Sequence, residues 1–234
     1  MLISAILVVL IVNLSLFWFG LGPLEIFFCW RRALDHRAYV GRHKQPIDLL
    51  VFGPDCFAAG KPELRFQELC RHAVACRSRM VLADPEHVHK IILVGGKHHG
   101  YDCEYAYAAA LWMIRPDLSF PREAILTPHD DPRLEWSIGT HEEARNLAKL
   151  PVGHAAVVCE GKQIVRAWIL TRVNDRITPL YPLWRWNGVA DTIYEIAVLG
   201  YTIFDPHWIL APRFVPWLKK SGVIVRLKRA IGLR

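Results

Sequence analysis

The residues with the chemistry of a binding or catalytic site fall in three short stretches. In the first, an apolar run at 91–94 ends in Gly95 and Gly96, followed by His98, His99, Asp102, Cys103 and Glu104. Paired glycines after a strand let the backbone approach a ligand closely, and the N-terminus of a following helix favours an anion. Asp102 has the type of an N-cap, and Glu104 has the charge that a first helical turn favours on its own account. The histidines, Asp102 and Cys103 have ligand chemistry, but no second ligand pair with zinc spacing accompanies them, so no metal is expected there.

The second stretch is the polar run at 128–137, with Asp130, Asp131 and Glu135 as carboxylates and Ser137 and Thr140 opening the next helix. Carboxylates at a strand end act as general bases or bind sugar hydroxyls; an ordinary solvated acidic loop has the same composition. Thr140 and Glu143 have the T-x-x-E spacing of a capping box. In the third stretch, Arg166 falls in the first turn of a helical pattern. The helix dipole disfavours a cation there, so a phosphate or a carboxylate must compensate it. No G-x-S-x-G elbow, Walker loop, H-E-x-x-H or G-x-G-x-x-G occurs, which leaves several common chemistries unsupported.

These stretches need a scaffold, and the hydrophobic pattern supplies one. Short apolar strands are expected at 48–52, 91–94, 124–127 and 154–159, with an edge strand at 177–183 because Pro179 and Pro182 interrupt it. Between them lie helical patterns. At 62–77, Phe66, Leu69, Cys70, Ala73 and Cys76 recur every three or four residues. Others are expected after Gly96 to 114, from Thr140 to Pro151, at 164–173 and at 193–203. Alternation of short strands with helices predicts an α/β domain over 47–183: a Rossmann-like open, mostly parallel sheet with helices on both faces. Ligands bind such sheets at the carboxyl ends of the strands, which is where Gly53, Gly95–Gly96, the acidic loop and Arg166 fall.

The ends of the chain differ from its middle. Residues 1–24 are almost wholly apolar, long enough to span a bilayer, with no charged segment before them and no evident cleavage site. They read as an uncleaved transmembrane anchor. The connector at 25–46 is basic, as is the segment after Trp217. Arg31, Arg32, Arg37, Arg42 and Lys44 less Asp35 give +4, and Lys219, Lys220, Arg226, Lys228, Arg229 and Arg234 give +6. Of the net +7, the remainder therefore carries −3. Basic residues beside apolar segments point to anionic lipid headgroups and away from nucleic acid. Positive-inside favours a domain in the cytoplasm, with the periplasmic side as the alternative. Four of the nine tryptophans follow Leu183, so 184–234 is expected to be an aromatic, basic extension at the membrane surface. None of the six cysteines forms a C-x-x-C pair, and free thiols in apolar segments are expected.

The order of the motifs resembles the YdcF-like family of SanA- and ElyC-like bacterial envelope proteins, over residues 48–203. The parts that resemble it are Gly53, Arg65, Gly95–Gly96, Glu104, the run Ser137-Ile138-Gly139-Thr140-His141-Glu142, Arg166-Ala167 and a helix beginning near Glu195. Val94, Gly139 and Gln163 stand where the family has serine, asparagine and histidine. The resemblance implies a Rossmann-like domain, a place in cell-envelope biogenesis at the inner membrane, and an S-adenosylmethionine-like ligand. With the arginine and glycines holding an anionic group, the expected ligand is nucleotide-like or linked to a lipid carrier. Gln163 cannot titrate and Gly139 has no side chain, which equally fits a membrane-associated scaffold or regulator with a degenerate site.

Overall fold

A computed structural model of the chain describes residues 11, 48–53, 64–83, 85, 89–95, 105–116, 118–137, 139–150, 155–174, 178–183, 189–207, 209 and 210. Apart from Ile11, the expected anchor at 1–24 lies outside the described residues, as do the connector at 25–46 and the chain beyond Leu210. No helix among the described residues is long and apolar enough to cross a membrane.

Five strands form one all-parallel sheet: β1 (Asp48–Val51), β2 (Ile91–Leu93), β3 (Ile125–Leu126), β4 (Ala155–Glu160) and β5 (Leu180–Leu183), in the order β3-β2-β1-β4-β5. That is the order of a doubly wound sheet. The helices are α1 (Leu64–Ala83), α2 (Tyr105–Met113), α3 (Thr140–Lys149), α4 (Ile164–Val173) and α5 (Val189–Phe204), with 3-10 turns at Arg122–Ala124 and Gly161–Gln163. The α/β class and the parallel sheet are as the alternating pattern predicts. β5 is shorter than expected and lies at the edge, with Pro182 opposite Cys159, where a residue lacking an N–H leaves no interior ladder bond unmade. α1 runs six residues past its expected end, and α5 begins four residues early.

Side chains alternate across a strand with period two, and each face of this sheet has its own core. Leu49, Val51, Ile91, Leu93, Ala156 and Val158 pack with Phe66, Leu69, Cys70, Ala73 and Cys76 of α1 and Ala109, Ala110 and Met113 of α2. Leu50, Phe52, Ile92, Val94, Ala155, Val157 and Cys159 pack with Ala144 and Leu147 of α3 and Ile164, Val165, Ala167 and Leu170 of α4. Burial on both faces explains why the strands read as continuous apolar runs. Cys70, Cys76 and Cys159 are buried and in no disulfide, and burial pushes the Cys70 thiol up to about 12.

Candidate functional site

β1 pairs with β2 on one side and β4 on the other, so the topological switch lies between β1 and β4. At their carboxyl ends the apolar pattern gives way to buried charge. Phe52 N–H donates to Val158 O at 2.8 Å, and the next amide, Gly53 N–H, donates to Glu143 Oε1 of α3 at 3.1 Å. A Cβ on Gly53 would meet Phe66 and Glu143 only at ordinary contact distances. A Cβ therefore fits at this position, between Phe66 and Glu143.

Glu160 ends β4 with a fully buried side chain. Its carboxylate receives both Nε and Nη2 of Arg65 from the first turn of α1. Lys162 Nζ, also buried, lies 3.7 Å away. Glu160 and Gln163 form a capping box around the Gly161–Gln163 turn, Gln163 Oε1 accepting from Glu160 N–H at 3.2 Å. Gln163 thus has a structural task that an amide performs: it accepts from one backbone group and holds the 3-10 turn that starts α4.

Arg166, one turn on, is also buried. Nε and Nη2 donate to Glu195 Oε1 and Oε2 of α5 at 2.9 and 3.0 Å, and Nη1 donates to Thr140 Oγ1 at 3.1 Å. The compensating partner that its helix position requires is a carboxylate from the C-terminal part of the chain. One guanidinium thereby ties the first turns of α3 and α4 to the middle of α5.

This arrangement overturns the capping-box reading of Thr140 and Glu143. The N-cap of α3 is Gly139, and no side chain caps it. Thr140 is already the first helical residue; its hydroxyl faces Arg166, and Glu143 reaches across to Gly53. Charged and backbone partners from other elements hold these two side chains in place of the local amides.

The glycine turn and the acidic loop do meet. Gly95 forms a parallel bridge to Ser137, with Ser137 N–H donating to Val94 O at 2.8 Å. Asn146 of α3, which the sequence reading passed over, fastens the loop end. Its Oδ1 accepts from Glu135 N–H, and its Nδ2 donates to Glu135 O and Ser137 Oγ, all at 2.8 Å. The available signal was an amide on the apolar face of an amphipathic helix. Buried Glu160 and Lys162 were likewise outside the expected site, because each lies in an ordinary turn pattern until the sheet brings Arg65 to them; Arg65 and Glu195 stood only as positions of the resemblance, with no role given to either.

The three carboxylates expected to act as bases or to bind hydroxyls each pair with a nearby cation. Asp130 accepts from Thr127 N–H, Thr127 Oγ1 and Arg122 Nη2 at 2.9, 2.8 and 2.6 Å. Burial would raise this carboxyl, and those hydrogen bonds outweigh it, holding it below the usual range. Asp131 accepts from Arg133 N–H at 2.9 Å and from its guanidinium at 2.6 Å, and the guanidinium hydrogen bonds depress it. Glu135 points outward to Lys149 Nζ at 2.7 Å, whose hydrogen bond lowers it. Anchored, ionised carboxylates cap loops well; a general base works best with a pKa near the operating pH. His141, beside Thr140, is buried, and burial together with Arg166 pushes its ring down to about 4.

Gly96, Glu104, His98, His99, Asp102 and Cys103 lie outside the described residues. Among the described residues no group of three His, Cys, Asp or Glu side chains is placed to hold a metal. Comparison with family models, curated proteins and solved structures returned no match to this chain.

Proposed function

We propose that this chain is a membrane-anchored, YdcF-like binding protein of bacterial envelope biogenesis. Its ligand is a small anionic molecule, nucleotide-like or linked to a lipid carrier. The observation that carries this reading is the sheet order. It puts a switch point at the ends of β1 and β4, and the buried cations Lys162 and Arg166 and the half-buried Arg65 all enter at that edge. Ligands of open α/β sheets bind in the crevice outside such a switch point. Arg65 and Lys162 flank Glu160, where cations would attract an anionic group, and the Gly95–Ser137 bridge would form the neighbouring wall. An S-adenosylmethionine-like ligand, which the resemblance implies, would bring its carboxylate to the same cations.

Binding without chemistry is the form of this reading that the side chains favour. Asp130, Asp131 and Glu135 are each held by a cation and kept ionised, and Gln163 is committed to its turn. A regulator or scaffold that senses an envelope metabolite needs the crevice and not a base. Thermal-shift titration of the full chain in detergent, with nucleotides, S-adenosylmethionine and polyprenyl phosphates, tests the proposal. A saturable rise in melting temperature that Arg65→Ala removes is the expected result. No shift with any of the three classes leaves only the ligand-free scaffold.

A further inference from the structure

The C-terminal end of α5 presents apolar side chains that nothing in the binding site requires. Ile203 is 58% exposed, Phe204 89%, Ile209 69% and Leu210 63%. Four large apolar side chains within eight positions are thus exposed at one end of α5, and clustered apolar exposure marks contact surfaces. The turn that carries them is firmly built. Asp205 is buried; its carboxylate accepts from Ile209 N–H at 2.8 Å, from Leu210 N–H at 2.9 Å and from Tyr201 OH at 2.7 Å. Arg145 of α3 donates to His207 O at 3.1 Å, which fixes the turn to the domain. The exposure is thus a property of an ordered turn, with a buried carboxylate shaping the backbone so that its apolar side chains face outward.

We infer that this turn is a lipid-contact surface: Ile203, Phe204, Ile209 and Leu210 insert at the headgroup–acyl boundary of an anionic bilayer. The chain runs on from Leu210 through Phe214 and Trp217 into Lys219, Lys220, Arg226, Lys228, Arg229 and Arg234, with no acidic residue after Asp205. Apolar and aromatic side chains followed by cations alone are what an interface of acyl chains and anionic headgroups binds. A nucleic acid would use the cations and leave the aliphatic side chains without a partner. The inference rests on the membrane-anchored reading. It adds to it that α5, which packs on α4 and the Gly161–Gln163 turn, holds the carboxyl edge of the sheet at the bilayer, within reach of a lipid-linked ligand.

Site-specific photo-cross-linking of the full chain tests this in vesicles of phosphatidylglycerol and phosphatidylcholine. The probe, p-benzoylphenylalanine, replaces Phe204, Leu82 or Leu10 in separate variants. Leu82 is 84% exposed at the far end of α1 and serves as the apolar control away from the proposed contact. Leu10 lies in the expected anchor. Lipid adducts at Phe204 several-fold above those at Leu82, and reduced by Ile209→Ser with Leu210→Ser, are expected. Adducts at Leu10 with none above control at Phe204 overturn the contact and leave the anchor standing. Adducts at neither position overturn both. Adducts from Phe204 to peptide or nucleic acid in place of lipid also overturn it. None of these outcomes bears on the ligand titration, which is read in detergent.

Discussion

Arg166 and Glu195, 29 residues apart in sequence, meet in a buried two-point ion pair. The pair joins α4 to α5, and the same guanidinium holds Thr140 of α3. Removing one partner leaves the other charged group buried and uncompensated, which typically costs about 3–5 kcal/mol. Arg166→Ala is therefore expected to lower the denaturant midpoint strongly, so that lost ligand affinity in this variant alone would not identify a ligand contact. The double replacement Arg166→Met with Glu195→Leu should recover much of the loss. A double variant as unstable as the single one would count against the pair as the origin of the effect.

Asn146 should matter out of proportion to its size. Asn146→Leu removes the side-chain acceptor of Glu135 N–H and the donor to Ser137 Oγ together, leaving that hydroxyl only its 3.5 Å bond to Glu135 O. Buried groups left unsatisfied cost about 1–3 kcal/mol each. Hydrogen exchange at the Glu135 amide should accelerate sharply, with far less change in the strands. Uniform acceleration across the sheet would mean that Asn146 supports the whole fold and not this loop.

His141 gives stability a particular pH dependence. Its ring is pushed from 6.5 to about 4 by burial and by Arg166, with Arg145 adding to the effect and Asp205 opposing it; Tyr201 packs edge-on against it. The unfolded chain therefore binds a proton between pH 6.5 and 4 that the folded chain does not. Stability is full above 6.5 and falls with pH down to about 4, by roughly 3 kcal/mol for a shift of this size. His141→Phe keeps an aromatic ring against Tyr201 and should flatten the profile in that window. An unchanged slope would remove His141 as its source.

The acidic loop acts at lower pH. Asp130 and Asp131 are held below their ordinary value of 3.8, so the stability they confer is present above 3.8 and is lost as pH falls through their folded values. Asp131→Asn should weaken acid resistance below the His141 window and leave the pH 4–6.5 slope intact. Loss of the slope in that variant would show that the two effects are not separable.

Gln163 is expected to behave as a cap. Gln163→Ala should destabilise by about 1 kcal/mol, the usual worth of such a side-chain contact, measured by chemical denaturation. The ligand-dependent rise in melting temperature should persist. Loss of that rise with stability unchanged would give Gln163 a direct ligand role.

The chain's local pattern determined the architecture. Apolar runs flanked by three- and four-residue periodicity specify buried parallel strands and their covering helices, because burial on two faces leaves its mark on every residue of a strand. The prolines at 179 and 182 were enough to send the last strand to the edge. That architecture is also what directs the expectation of a site to the carboxyl ends of the strands, and Gly95 and Ser137 are neighbours at that edge. The partners of the polar groups were decided only in three dimensions. Thr140 and Glu143 have local capping spacing, yet Arg166 and Gly53 take their oxygens. Arg166 called for a compensating anion, and only the packing of α5 made that anion Glu195. Local backbone preferences are worth about 1 kcal/mol, whereas an uncompensated buried charge costs several times that. Spacing along the chain therefore predicts elements, while the pairing of buried charges is fixed by which elements the sheet brings together.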